Sequence, residues 1–155
     1  MSVAARLAEL GIELPSVAAP VAAYIPAKVH GDLVWTSGQL PFTGGELPAT
    51  GKVGEGDGSV AAADAKVYAR TCALNAIAAA SAAAGGVDRL SGVFKVTGFV
   101  ASESSFTGQP GVINGASEVL GEIFGDAGAH SRSAVGVAVL PLDAPVEVEV
   151  AFTIT

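Results

Sequence analysis

HSRSAVGVAVLPLDAPVEVEVAFTIT, residues 130 to 155, holds two runs of alternating side chains separated by LPLDAP. Alternation with a period of two is the signature of a strand. Pro141 and Pro145 bound a turn, because neither can donate to a ladder. In the second run Val146, Val148, Val150, Phe152 and Ile154 point one way, and Glu147, Glu149, Ala151 and Thr153 the other. In the first, Ser133, Val135, Val137 and Val139 share one side while Arg132, Ala134, Gly136 and Ala138 share the opposite one. Arg132 therefore opens a row of very small side chains. A planar, permanently charged fork beside empty volume suits a small carboxylate; a surface ion pair on an edge strand is the alternative use of such an arginine.

Working outward, 155 residues make about one domain with a real core, spanning 1–155. Half of the residues are apolar yet only 6% are aromatic, so the core must be packed from small groups, chiefly alanine and valine. A formal charge of −7 and a pI near 4.6 argue against a nucleic-acid partner held through phosphates, and equally against docking on anionic membrane. The single cysteine, Cys72, cannot close an internal disulfide. The N-terminus lacks an apolar run fit for a signal peptide, and no segment reaches a spanning length. The expectation is a cytoplasmic protein.

Along the chain, residues 2–10 read as a short amphipathic helix with Val3, Leu7 and Leu10 on one face, ended by Gly11. Pro15, Pro20 and Pro26 keep the next segment extended. Gly31-Asp32 predicts a hairpin turn before a strand over Leu33 to Thr36. The run 42–58, FTGGELPATGKVGEGDG, reads as a mobile loop, longer than most connections in a compact domain. Ser59 is placed to cap a helix running to Ala84 and stopping at Gly85-Gly86. Its larger residues Val60, Val67, Leu74 and Ile77 form a stripe, and the remaining alanines allow close approach. A strand over Val93 to Ala101 follows, then a helix over Gly111 to Phe124. That helix has a buried face of Val112, Ile113, Ala116, Val119, Leu120, Ile123 and Phe124. The order β-β-α-β-α-β-β implies an α+β fold, a sheet with both helices on one face. The other face needs cover that so small a chain cannot supply, and self-association is the economical answer.

Few motifs carry chemistry by themselves. His30 and His130 stand alone and Cys72 lies within the long helix, so no metal constellation is apparent. The neighbours Leu74 and Ile77 make Cys72 a packed thiol more than a nucleophile. GKVGEGDGS lacks phosphate-loop spacing, and Ser37, in TSGQ, sits in no nucleophile elbow. Glu147 and Glu149 share one strand face, where solvated surface acids are the default.

Together, AAPVAAY (18–24), VWTSGQLP (34–41), VINGASEV (112–119), HSRSAVGVAVLP (130–141) and VEVEV (146–150) resemble the RidA/YjgF family, in order and over residues 18 to 154. The resemblance implies a chorismate-mutase-like α+β fold and homotrimers, a trimeric barrel with three clefts between neighbouring subunits. It further implies hydrolysis of reactive enamines and imines derived from amino acids, with no cofactor. Arg132 matches the arginine that holds the substrate carboxylate, and Glu147 the glutamate that positions the attacking water. Ser37 and Gly38 match the pocket loop, Tyr24 a pocket wall, Asn114 a helix asparagine near the cleft, and Gln39 a structural part of the motif. Ala134 stands where many active members carry cysteine, which removes thiol chemistry there. IPAK after Tyr24, an N-terminal extension (1–17) and the loop 42–58 mark a divergent subgroup.

The implied partner is a carboxylate-bearing imine, enamine or keto acid. The competing function is a non-catalytic module that binds a small carboxylate. A ribonuclease is disfavoured by the acidic balance, and chorismate mutase rests on fold analogy alone.

Overall fold

The computed structural model describes residues 1–17 and 22–155. Helix α1 (Val3–Glu9) is capped by Ser2, whose hydroxyl accepts from Ala5 N, and Gly11 follows at φ +65. Pro20 and the start of AAPVAAY lie outside the described residues. Strands β1 (Ala27–His30) and β2 (Leu33–Thr36) form the hairpin expected at Gly31-Asp32, with Gly31 at φ +57. Then come α2 (Ala62–Ala84), β3 (Leu90–Ala101), α3 (Gln109–Phe124), β4 (Ser131–Val137) and β5 (Val146–Ile154).

The sheet order is β1-β2-β5-β3-β4; β3 and β4 are parallel and every other pair is antiparallel. The sheet is thus mixed, and α2 and α3 pack together on one side of it, as the element order implies. The turn read at LPLDAP does not close a hairpin: the two runs that it joins are not neighbours in the sheet. The parallel crossover β3-α3-β4 puts β4 beyond β3, so the link must pass over β3 to reach β5, a step of roughly 10 Å across two strand spacings.

The α3 face is buried as its spacing predicts, with Phe124 partly covered against Phe152 at 5.8 Å between ring centroids. Helix α2 departs from its expected stripe. Val67 is 59% exposed, while Ala65, Ala69, Cys72, Ala73, Ala76, Ile77 and Ala80 form the inner face. The alanines face inward because α2 lies against both β5 and α3; a Cβ at Gly115 of α3 would overlap the Lys66 carbonyl, so only small groups fit the seam.

Ser59 does not cap α2. The N-cap is Ala61, which makes no side-chain cap bond, because the Ser59 hydroxyl is taken by the Glu103 carboxylate. The same carboxylate accepts from Glu55 N at 3.1 Å and Gly56 N at 3.3 Å. Val53 is fully buried and bridged to both Val60 and Ser102. The loop expected to be mobile is therefore fastened by a side chain about 45 residues downstream. Asn75 of α2 fixes its beginning, donating to the Leu40 and Phe42 carbonyls at 3.0 and 3.2 Å.

The face opposite the helices is open, with Trp35 47% and Val135 44% exposed. Among the described residues no helix is long and apolar enough to cross a membrane.

Candidate functional site

Arg132 lies on β4, the edge strand, and its row continues through Val96 to Val150, so its side chain is on the helix side of the sheet. There α3 receives it. Nη1 donates to Asn114 Oδ1 at 2.8 Å and Ser117 Oγ at 3.2 Å, and Nη2 donates to the Pro110 carbonyl at 3.3 Å. Residues 110, 114 and 117 recur at i, i+4 and i+7, one face of a helix. Among the described residues no carboxylate reaches Arg132; the ion pairs are Arg6–Glu9, Lys66–Glu118 and Arg70–Glu122. The surface ion-pair reading finds no support there. The guanidinium is held by neutral acceptors, and its charge is left uncompensated.

The row beyond Arg132 is small for a reason the alternation alone does not give. Ala134 pairs with Gly98, where a Cβ would overlap Ile113, and one at Gly136 would crowd Gln109 and Ser102. Much of the space expected beside the row is taken by α3. It reopens as a cleft of about 360 Å³ lined by Lys52, Ser102, Phe106, Gln109, Gly136 and Ala138.

Glu147 occupies a different corner. Its row runs Glu147–Phe99–Val135, on the open side of the sheet. The ladder between β2 and β5 stretches beside it: five residues, from Trp35 to Gln39, face four, from Ala151 to Val148. This bulge pushes Ser37 and Gly38 out of the ladder. Gly38 lies against the carboxylate so closely that a Cβ there would overlap Glu147 Oε1. Gln39 closes the bulge through paired bonds with Val148, 2.8 and 3.0 Å, and its amide donates to the Ser37 carbonyl at 3.1 Å. Ser37 Oγ donates to the Ile25 carbonyl at 2.7 Å, and its N–H to that of Pro26 at 2.8 Å. Tyr24, 43% exposed, is the next residue along. Burial, then the charge of Glu149, holds the Glu147 carboxyl above its usual range. Among the described residues nothing donates a hydrogen bond to it.

Within one chain, then, the expected residues fall into two groups: Arg132, Asn114 and Ala134 on the helix side, and Glu147, Ser37, Gly38 and Tyr24 on the open side. Ser117 and His130 were missed. His130 is not isolated: its Nε2 lies 2.9 Å from Ser117 Oγ and its Nδ1 2.6 Å from the Gly128 carbonyl. His130 lies just before β4, two positions ahead of Arg132, but its pairing with Ser117 leaves no local mark in the sequence. Cys72 is fully buried beneath β5, its thiol pushed up by burial and then by the Glu147 charge, so it is a packing group.

A model of the family described as "YjgF/chorismate mutase-like, putative endoribonuclease" matches residues 4–152. Protein TCP17 of Trypanosoma cruzi is 43% identical over 148 residues, 95% of this chain and 91% of that protein. Among solved structures, the protein Atu1372 of Agrobacterium tumefaciens is 39% identical with a TM-score of 0.87, covering 99% of this chain and 92% of its own. TdcF of E. coli, solved with bound serine, is 25% identical with a TM-score of 0.63, covering 90% and 94%.

Proposed function

This chain belongs to the YjgF/chorismate mutase-like family, and we propose that within it the protein hydrolyses reactive enamines and imines derived from amino acids. The observation that carries the reading is Arg132, a guanidinium fixed by three neutral acceptors with no carboxylate beside it. Such a group is built to receive an external anion, and TdcF, a similar protein, was solved with bound serine, a small molecule that carries a carboxylate.

The chemistry balances simply. The enamine tautomerises to an imine, water adds to the imine carbon, and the carbinolamine collapses to a 2-keto acid and ammonia. Arg132 holds the carboxylate, which fixes the reacting carbon and lowers the barrier entropically. Glu147 orients or deprotonates the water. Its raised pKa moves the carboxylate toward the range where a general base is most effective. The Gly38 backbone meets the nitrogen as its charge changes, and Ser37, Tyr24, Asn114 and Ala134 line the site. The substrate is reactive enough to ask for neither metal nor cofactor.

Arg132 and Glu147 lie on opposite sides of one sheet, and in this reading the cleft is completed between subunits of a homotrimer. One protomer gives the Arg132 corner and its neighbour the Glu147 corner. The same assembly covers the open face carrying Trp35 and Val135.

The test is release of ammonia and keto acid from imino acids freshly made by an amino-acid oxidase. Equal rates for wild type and Arg132→Ala would sink the reading. Stabilisation by small keto acids without turnover would assign the protein to non-catalytic binding instead. RNA cleavage that depends on Arg132 would favour the family's endoribonuclease description.

A further inference from the structure

We infer that Ser117 and His130 are positioning residues for Arg132, forming a directed relay that presets the guanidinium for a carboxylate; this rests on the function proposed above. The chain of contacts runs from Arg132 Nη1 to Ser117 Oγ (3.2 Å), from Ser117 Oγ to His130 Nε2 (2.9 Å), and from His130 Nδ1 to the Gly128 carbonyl (2.6 Å).

The polarity of the relay follows from which atoms can donate. A carbonyl only accepts, so His130 Nδ1 carries the ring proton. In the neutral ring Nε2 is then bare and accepts the Ser117 hydroxyl proton. With that proton committed, Ser117 turns only lone pairs toward Arg132. Its hydroxyl becomes a fixed acceptor where a free rotor would sample both roles. The far end is anchored to backbone: Gly128 is buried at the end of the 3-10 turn Gly125–Gly128, where a Cβ would overlap the Leu120 carbonyl.

Counting donors shows what this achieves. A guanidinium has five N–H groups. Asn114, Ser117 and Pro110 take three, leaving Nε–H and one on Nη2, the number that a two-pronged grip on a carboxylate uses. Both Nη1 hydrogens are engaged, one by Ser117, so the relay decides which edge of the fork faces a ligand. Fixing that edge beforehand removes ordering cost from the binding step.

The experiment compares Ser117→Thr with Ser117→Val, a pair of equal shape and helix propensity that differs only in the hydroxyl. His130→Ala, Ser117→Ala, their double variant and Arg132→Ala accompany it. Calorimetric binding of 2-oxobutanoate and steady-state kinetics on a fresh imino acid are the readouts. Expected is a rise of about tenfold in Kd and KM for Ser117→Val over Ser117→Thr, the scale of one charge-assisted hydrogen bond, with kcat nearly unchanged. His130→Ala should weaken binding in the wild-type background and add nothing in Ser117→Ala, since it acts through that hydroxyl. Equal Kd for the Thr and Val variants, or full additivity of the double variant, overturns the relay while leaving the proposed function standing if Arg132→Ala abolishes binding. Binding of 2-oxobutanoate that survives Arg132→Ala overturns both.

Discussion

At the edge strand, Arg132 is surrounded by partners: an amide, a hydroxyl and a carbonyl hold the guanidinium. Two strands inward and on the other face, Glu147 has lost water without gaining a donor among the described residues, and its neighbour Glu149 repels it. The first group is preorganised as an ion; the second is driven toward neutrality. A cation that grips and a carboxylate that exchanges a proton need those opposite environments. Under the function proposed above, the contrast separates binding from proton transfer within one chain.

The most severe way to break the contrast is to remove each group. Arg132→Ala and Glu147→Gln should each cost about a hundredfold or more in kcat/KM. If the two corners meet only between subunits, co-refolding the two inactive variants in equal amounts restores about a quarter of wild-type activity, since half the neighbours supply each intact corner. No recovery would show that one chain carries the whole site.

Gly38→Ala attacks the carboxylate corner alone. The new methyl must displace Glu147, so kcat should fall by about tenfold or more with little change in 2-oxobutanoate affinity, and stability by about 1–3 kcal/mol. Matching losses in affinity and turnover would mean the corners are not separable.

Protonation sharpens the comparison further. Because the folded-state pKa of Glu147 is raised, its ionised form is disfavoured by folding. That penalty is absent below the unfolded pKa, grows as pH rises from the unfolded to the raised folded value, and is complete above it. Glu147→Gln should therefore melt higher than wild type at neutral pH, with the difference vanishing below about pH 4. Glu149→Gln, by removing the repelling charge, should move the acid limb of the rate profile to lower pH. An unmoved limb would assign that limb to another group.

The smallest effect is expected at the loop latch. Hydrogen bonding from Ser59, helped by the Gly56 and Glu55 amides, holds the Glu103 carboxyl below its usual range. Its contribution is present above the unfolded pKa and is lost as pH falls through the lowered folded value. Glu103→Gln should raise amide exchange in residues 53–59 at neutral pH, leaving the global melting temperature almost unchanged.

Reading the chain alone went furthest where the signal is local. The α3 face, the β5 alternation and the Gly31-Asp32 turn each depend on residues within a few positions, and the structure follows them. Ser59 and Val67 misled for the complementary reason. The hydroxyl that looks like a cap is claimed by Glu103, and the valine that looks like core loses its place to alanines, because α2 must fit between α3 and β5. Ser117 and His130 escaped notice because a serine thirteen positions from a histidine carries no periodic mark; α3 lying beside β4 makes them neighbours.

What the sequence determined by itself was periodicity, hence the elements, their buried faces, and the residue types on which the proposed function rests. What only the tertiary structure decided was which strand lies beside which. Strand order is settled by contacts between distant residues, here the α3 crossover that places β4 at the edge. That order puts Arg132 and Glu147 on opposite faces of one sheet, a separation that no local pattern encodes.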